Sequence, residues 1–343
     1  MGIFNMFKKK HKNGILDGLI KIYHENDMLK SEVNYIGGKE EGLYKEWYED
    51  GKLGKEGNYK NGKENGLFKI YYENGQLKSE TNYKDGIVNG LLKIYYESGQ
   101  LKETGGTCEM SKKIGLWKYY HENGQLEKTG DYVEFYMNHF YNLKDGLWKY
   151  YYENGQLKSQ GCYKDCIYVG GNNYSQQDGL WKYYHENGKL ESEGYYKRRD
   201  KKNDNSIKDG LWRYYYENGE LKSEEEIIEY RNRYSRKMVK EYDENGKLKM
   251  EGEYSFFDSC TSEGGPMDCK GLGCVECFLT VRIKTGLWKY YYLNGKLKME
   301  GEYTDGTYEN GVSYNGQRNG VWKVYDKIGE LSNELTYKNG EKV

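Results

Sequence analysis

Proline is almost missing: Pro266 is the only one in 343 residues. Linkers and disordered chains are rich in it, so the chain does not read as a string of linkers. Charge of one sign is missing too. The 53 basic and 54 acidic side chains leave a net charge of −1, which removes any global attraction to nucleic acid. No stretch approaches eighteen consecutive apolar residues, so no transmembrane helix is expected. The first residues, MGIFNMFKKKHK, place a basic cluster after a very short apolar run. A secretory signal needs the opposite order, and Met6 stands where myristoylation wants Ser or Thr. These features point to a cytoplasmic protein. The seven cysteines are odd in number and irregularly spaced, unlike a secreted disulfide framework. Phosphate-loop, dinucleotide-binding, Gly-x-Ser-x-Gly and His-Glu-x-x-His patterns are all absent, so no enzyme is indicated.

What the chain does have is aromatics and repetition. Forty tyrosines, eight phenylalanines and seven tryptophans supply the buriable area that disordered chains lack. The string GLWKYYYENGQLKS at Gly146 returns as GLFKIYYENGQLKS at Gly66 and GLWKYYHENGQLEK at Gly115. Counting that first glycine as position one, repeats start at Gly18, Gly42, Gly66, Gly90, Gly115, Gly146, Gly179, Gly210, a degenerate Lys237, Gly286 and Gly320. The first three steps are 24 residues, and later extra residues fall between repeats. Position six is aromatic and position twelve leucine in every repeat, as in Tyr71 and Leu77, and position four is always Lys or Arg.

Asn-Gly between two aromatic-rich runs is a hairpin signal, because both residues tolerate positive φ. Glycine at positions one and ten leaves runs too short for stable helix. The chain is therefore expected to be all-β: an elongated, single-layer, solenoid-like antiparallel meander of eleven tandem hairpins. Two registers compete. A two-residue turn sets position seven against twelve and position three against sixteen. A three-residue turn with a left-handed glycine sets six against twelve, and is favoured because it pairs the two most constant positions. Residues 1–17 read as a basic lead, 18–254 as repeats, 255–285 as a cysteine-rich insertion, and 286–343 as the last repeats and cap.

The repeats GLWKYYYENGQLKSQGCYKD and GLYKEWYEDGKLGKEGNYKNGKEN resemble the MORN repeat variant, and their tandem array resembles the YwqK-family antitoxins of bacterial toxin–antitoxin systems. The resemblance covers Gly18 to the C-terminus, insertions aside. It implies a twisted single-layer sheet and a toxin partner neutralised by binding; it does not imply a catalytic residue.

Three groups of side chains are candidates for a site. Trp117, Trp148, Trp181, Trp212, Trp288 and Trp322 share position three, with Tyr119, Tyr150, Tyr183, Tyr214 and Tyr290 at position five on the same face. They either pack along the sheet or form a partner-binding ribbon. Cys260, Cys269, Cys274 and Cys277 lie in one loop and either hold a zinc ion or are incidental thiols. His24, His121 and His185 replace tyrosine at position seven, separated by whole repeats of about 10 Å or more, which disfavours shared proton transfer. Lysine at position four and glutamate near position fifteen, such as Lys69 and Glu80, form opposite charge rows. The leading function is a non-enzymatic protein binder of the antitoxin or immunity type, with no small-molecule substrate. The alternative is scaffolding at a membrane surface through Lys8, Lys9, Lys10 and the lysine rows.

Overall fold

The computed structural model describes residues 9–10, 16–108, 112–134, 142–164, 175–198, 206–229, 234–258, 280–304, 308–309, 312–313 and 316–343. All regular structure among them is β-strand, so no helix there could cross a membrane. Two compact bodies form, Met1–Gln176 and Gln177–Val343. In each body every strand pairs antiparallel with its neighbour in the chain, the meander that the repeats predict.

One hairpin explains the rest. Strand β1 (Gly66–Tyr71) and strand β2 (Leu77–Lys84) flank the turn. The Tyr72 N–H donates to the Gln76 carbonyl and the Gly75 N–H to the Tyr72 carbonyl, both at 2.8 Å. This closes a three-residue loop with Gly75 at φ 88°, and Tyr71 faces Leu77, the favoured register. One residue further the ladder slips: Ile70 faces Ser79 and Phe68 faces Thr81. Lys78, at position thirteen, is the extra residue. The bulge gives the meander both registers in turn, six against twelve beside the loop and three against sixteen beyond it.

Asn-Gly also closes the tight links between repeats, in a different geometry. Asn61 (φ 52°) and Gly62 (φ 77°) are both left-handed, as a two-residue hairpin turn requires. Asp85–Gly86 does the same before the fourth repeat.

The strands run on where an insertion was expected. Ser255 pairs with Ile283 and Asp258 with Thr280, so residues 255–258 and 280–285 belong to the sheet. Lys9–Lys10, in the stretch read as a lead, pairs with Leu16 and Asp17. Cys260, Cys269, Cys274 and Cys277 lie outside the described residues, so the metal reading has no structural description.

Candidate binding faces

Each strand alternates its side chains between two faces. On one face sit positions three and five. All six position-three tryptophans are buried, 0–1% exposed. The reason is visible at Trp148. Its indole lies flat over Gly130, the position-sixteen glycine of the preceding repeat, and a Cβ on that glycine would fall 2.3 Å from the ring. The indole N–H donates to the Asp131 carbonyl at 3.2 Å, which removes the cost of burying it. Tyr132 stands edge-on at 5.1 Å between centroids. Trp117 on Gly105, Trp212 on Gly194, Trp288 on Gly252 and Trp322 on Gly301 repeat the geometry.

A cation covers the other side of the ring. Lys144 Nζ is 4.5 Å from the Trp148 centroid and donates to the Tyr150 hydroxyl at 2.8 Å. Lys113, Lys208, Lys284 and Arg318 take the same place over Trp117, Trp212, Trp288 and Trp322, at 4.0 to 4.6 Å. Such contacts stabilise by about 0.5–2 kcal/mol each, more when desolvated. Burial lowers the pKa of Lys144 and Lys208, and burial followed by a tyrosine–tyrosine hydrogen bond raises that of Tyr119 and Tyr290. Repeat seven has Gln177 in this place, bonded to the Tyr183 hydroxyl at 3.4 Å. As side chains the six tryptophans are packing elements. A partner meeting this face would meet tyrosine edges and the cations, not the indoles. The sequence reading did not single out this cation row, although a basic residue two places before the repeat glycine in five repeats was its signal.

The opposite face carries positions two, four and six. Here the charge rows form: Lys21 with Glu32 at 3.3 Å, Lys182 with Glu193 at 3.1 Å, Arg213 with Glu224 at 3.0 Å. Each of these glutamates belongs to position fifteen, and the next repeat's position-six tyrosine reaches back to that position. Tyr71 donates to Glu56, Tyr95 to Glu80, Tyr242 to Glu224 and Tyr325 to Glu300. Desolvation and the Glu56 bond push the Tyr71 pKa up to about 12, and Tyr242 behaves alike through Glu224.

Beside these paired groups runs a second row that the sequence reading missed. Position two is aliphatic throughout: Leu19, Leu43, Leu67, Leu91, Leu116, Leu147, Leu180, Leu211, Met238, Leu287 and Val321, all 39–53% exposed. Its partners across the ladder are polar or small in most repeats, such as Asn82 facing Leu67 and Asp131 facing Leu116. The signal was an aliphatic residue in every repeat at a position that the sheet does not bury.

The turns are stapled along the sheet. Tyr72 donates to the Tyr95 carbonyl at 2.8 Å, and His121 Nε2 meets the Tyr151 carbonyl at 3.2 Å. His24 and His185 do likewise toward Trp47 and Tyr215. The position-nine asparagine reaches the next turn, as Asn74 does to the Glu97 carbonyl at 2.9 Å. The histidines therefore stand in for tyrosine as structural donors. No group of three or more His, Cys, Asp or Glu that could hold a metal occurs among the described residues. There Cys108 is half-buried and Cys162 exposed.

Comparison with known proteins agrees with this repeat geometry. The MORN repeat variant family matches residues 16–36, 40–61, 64–85, 88–106, 113–134, 144–165, 177–198, 208–228, 238–255, 284–305 and 318–339. No curated protein matches the chain. Among solved structures, the TcdB2–TccC3–Cdc42 complex is similar at 12% identity over 97% of this chain and 17% of the other, with a TM-score of 0.20. The Photorhabdus luminescens Tc holotoxin pore carrying TccC3-D651A follows at 14% identity, over 96% of this chain and 18% of the other, with a TM-score of 0.18. A porin-like protein from Bacteroides uniformis is 11% identical over 74% of this chain and 96% of its own, with a TM-score of 0.21. The chain thus spans less than a fifth of the length of the first of these, and such TM-scores carry no conclusion about function. Eleven matched segments, each one bulged hairpin with the same two faces, make the chain a member of the MORN repeat variant family.

Proposed function

We propose that the chain is a non-enzymatic protein-binding repeat array whose contact surface is the position-two row. One observation carries this reading: an aliphatic side chain stays exposed at the same position in all eleven repeats. Single exposed leucines need no explanation, but a row of them on one face of each body suits an extended partner, since repeat arrays bind along such faces. Most of the cations at position four face a glutamate, so the surface beside the row is close to neutral. That favours a protein partner over an anionic membrane, the second reading. The resemblance to the YwqK-family antitoxins supplies the narrower version, occlusion of a toxin.

The test is affinity capture from the native cell with the neighbouring gene co-expressed. Wild-type chain is compared with the triple variant Leu91→Ser/Leu116→Ser/Leu147→Ser and with a turn control, Glu153→Ser. A partner held by wild type and control and lost by the triple variant is the expected result. A partner held equally by all three overturns the assignment of the row. A partner with toxic activity that the chain suppresses would support the antitoxin version.

A further inference from the structure

The tryptophan slot is not filled in every repeat. At the fourth repeat Leu92 stands at position three and Val88 replaces the covering cation. In the preceding repeat, Thr81 replaces the position-sixteen glycine and Ile70 replaces the position-five tyrosine. Two large rings are thereby lost, and threonine returns only three heavy atoms to the floor. A cleft of about 180 Å³ remains, lined by Lys55, Phe68, Ile70, Ser79, Thr81, Tyr83, Val88 and Leu92.

Its chemistry is apolar. Phe68 is 2% exposed and meets Tyr83 edge-to-face at 5.1 Å. Two of the polar groups at its margin already have partners: Lys55 Nζ is 2.8 Å from Glu64, and the Thr81 hydroxyl donates to the Leu91 carbonyl at 3.2 Å; the Ser79 and Tyr83 hydroxyls line it as well. A charged ligand would find no free counter-charge in these groups. The size fits one ring, because apolar cavities of about 150 Å³ take up benzene. The chain itself shows what occupies this place elsewhere. In repeat six the indole of Trp148 sits between Tyr132 of the preceding repeat and Tyr150 and Tyr163 of its own.

We propose that this cleft binds a neutral planar aromatic ring, indole or phenyl in size, supplied by a free small molecule or by an aromatic side chain of a bound protein. The ring lies on Thr81 between Phe68 and Leu92, with Tyr83 edge-on. Its occupancy does not depend on the position-two row, which lies on the other face.

The experiment titrates full-length chain with indole and, separately, with N-acetyl-tryptophanamide, followed by calorimetry and by the methyl signals of Ile70, Val88 and Leu92. Saturable binding that shifts those methyls is expected. Binding of both probes shows that a side chain with its backbone is admitted, and binding of indole alone assigns the site to free small molecules. Two variants fill the slot, Thr81→Gly/Leu92→Trp, which rebuilds the standard repeat, and Ile70→Tyr. Each that keeps the wild-type circular dichroism should weaken binding at least tenfold, whereas the distant turn variant Glu153→Ser should not. Absence of saturable binding of either probe, methyl shifts elsewhere only, or unchanged affinity in a folded filled variant overturns the proposal.

Discussion

Within the N-terminal body, repeats three and four differ from repeats five and six far more in what fills their slots than in how their strands pair. The ladders share the same slips: Tyr71 faces Leu77 and Ile70 faces Ser79, as Tyr120 faces Leu126 and Tyr119 faces Lys128. Yet repeats five and six hold a buried indole under a lysine, whereas repeat four holds Leu92 beside an open cleft. The difference is set one repeat earlier. A large flat ring at position three follows glycine at the preceding position sixteen: Gly57 under Phe68, Gly105 under Trp117, Gly130 under Trp148. Thr81 precedes Leu92, and Val33 precedes Tyr44, a ring without a glycine floor that still meets Tyr59 edge-on at 5.4 Å, as Phe68 meets Tyr83. The packing unit therefore straddles two repeats, although the sequence repeat does not.

The comparison can be broken most strongly at the ring. Trp148→Ala should destabilise the body by about 3–5 kcal/mol, the range for emptying a packed aromatic site. Leu92→Ala should cost less, about 2 kcal/mol, because one side of its site is already open. Urea unfolding of the two variants measures the gap. Next comes the floor. Gly130→Ala forces a Cβ against the indole and should cost about 1–3 kcal/mol, whereas Thr81→Gly meets no clash and loses only the glycine strand penalty and the bond to the Leu91 carbonyl, about 1–2 kcal/mol. Third is the cover. Lys144→Met keeps the stem and removes the charge over Trp148, and should cost about 0.5–2 kcal/mol. Val88→Lys, over Leu92, should gain nothing measurable by the same unfolding assay.

The smallest effect is alkaline. Tyr71 has its pKa raised to about 12, chiefly by desolvation and then by the Glu56 bond, and burial with Glu80 raises that of Tyr95. A raised folded pKa contributes stability that is complete below the unfolded value near 10 and is lost as pH climbs through the folded value. Repeats five and six have Thr104 and Thr129 where Glu56 and Glu80 stand. Burial raises the Tyr119 pKa in repeat five without a bond to a glutamate, so the test is local. Glu56→Gln should flatten the loss of stability between about pH 10 and 12 in urea unfolding, whereas Thr104→Val should leave that loss unchanged.

Much of this was legible in the sequence, and the limits have physical causes. Asn74–Gly75 announced the hairpin, Tyr71 and Leu77 announced their pairing, and Lys69 with Glu80 announced a charge row. The bulge at Lys78 was not legible, because position thirteen is an ordinary polar residue and only the ladder shows that it is unpaired. The fate of the tryptophans was open for a related reason. Whether Trp148 packs or projects depends on Gly130 in a different repeat, and a reading confined to one repeat at a time does not place them together. The position-two leucines were overlooked because Leu147 looks like core in an alternating strand, and burial alone shows that it is not.

The central claim is that the position-three ring and the preceding position-sixteen glycine form one complementary pair. A double-mutant cycle of Gly130→Ala and Trp148→Ala, read by urea unfolding, tests it directly. If the claim holds, Gly130→Ala costs about 1–3 kcal/mol with the indole present and close to nothing once it is removed. Equal cost in both backgrounds would contradict it.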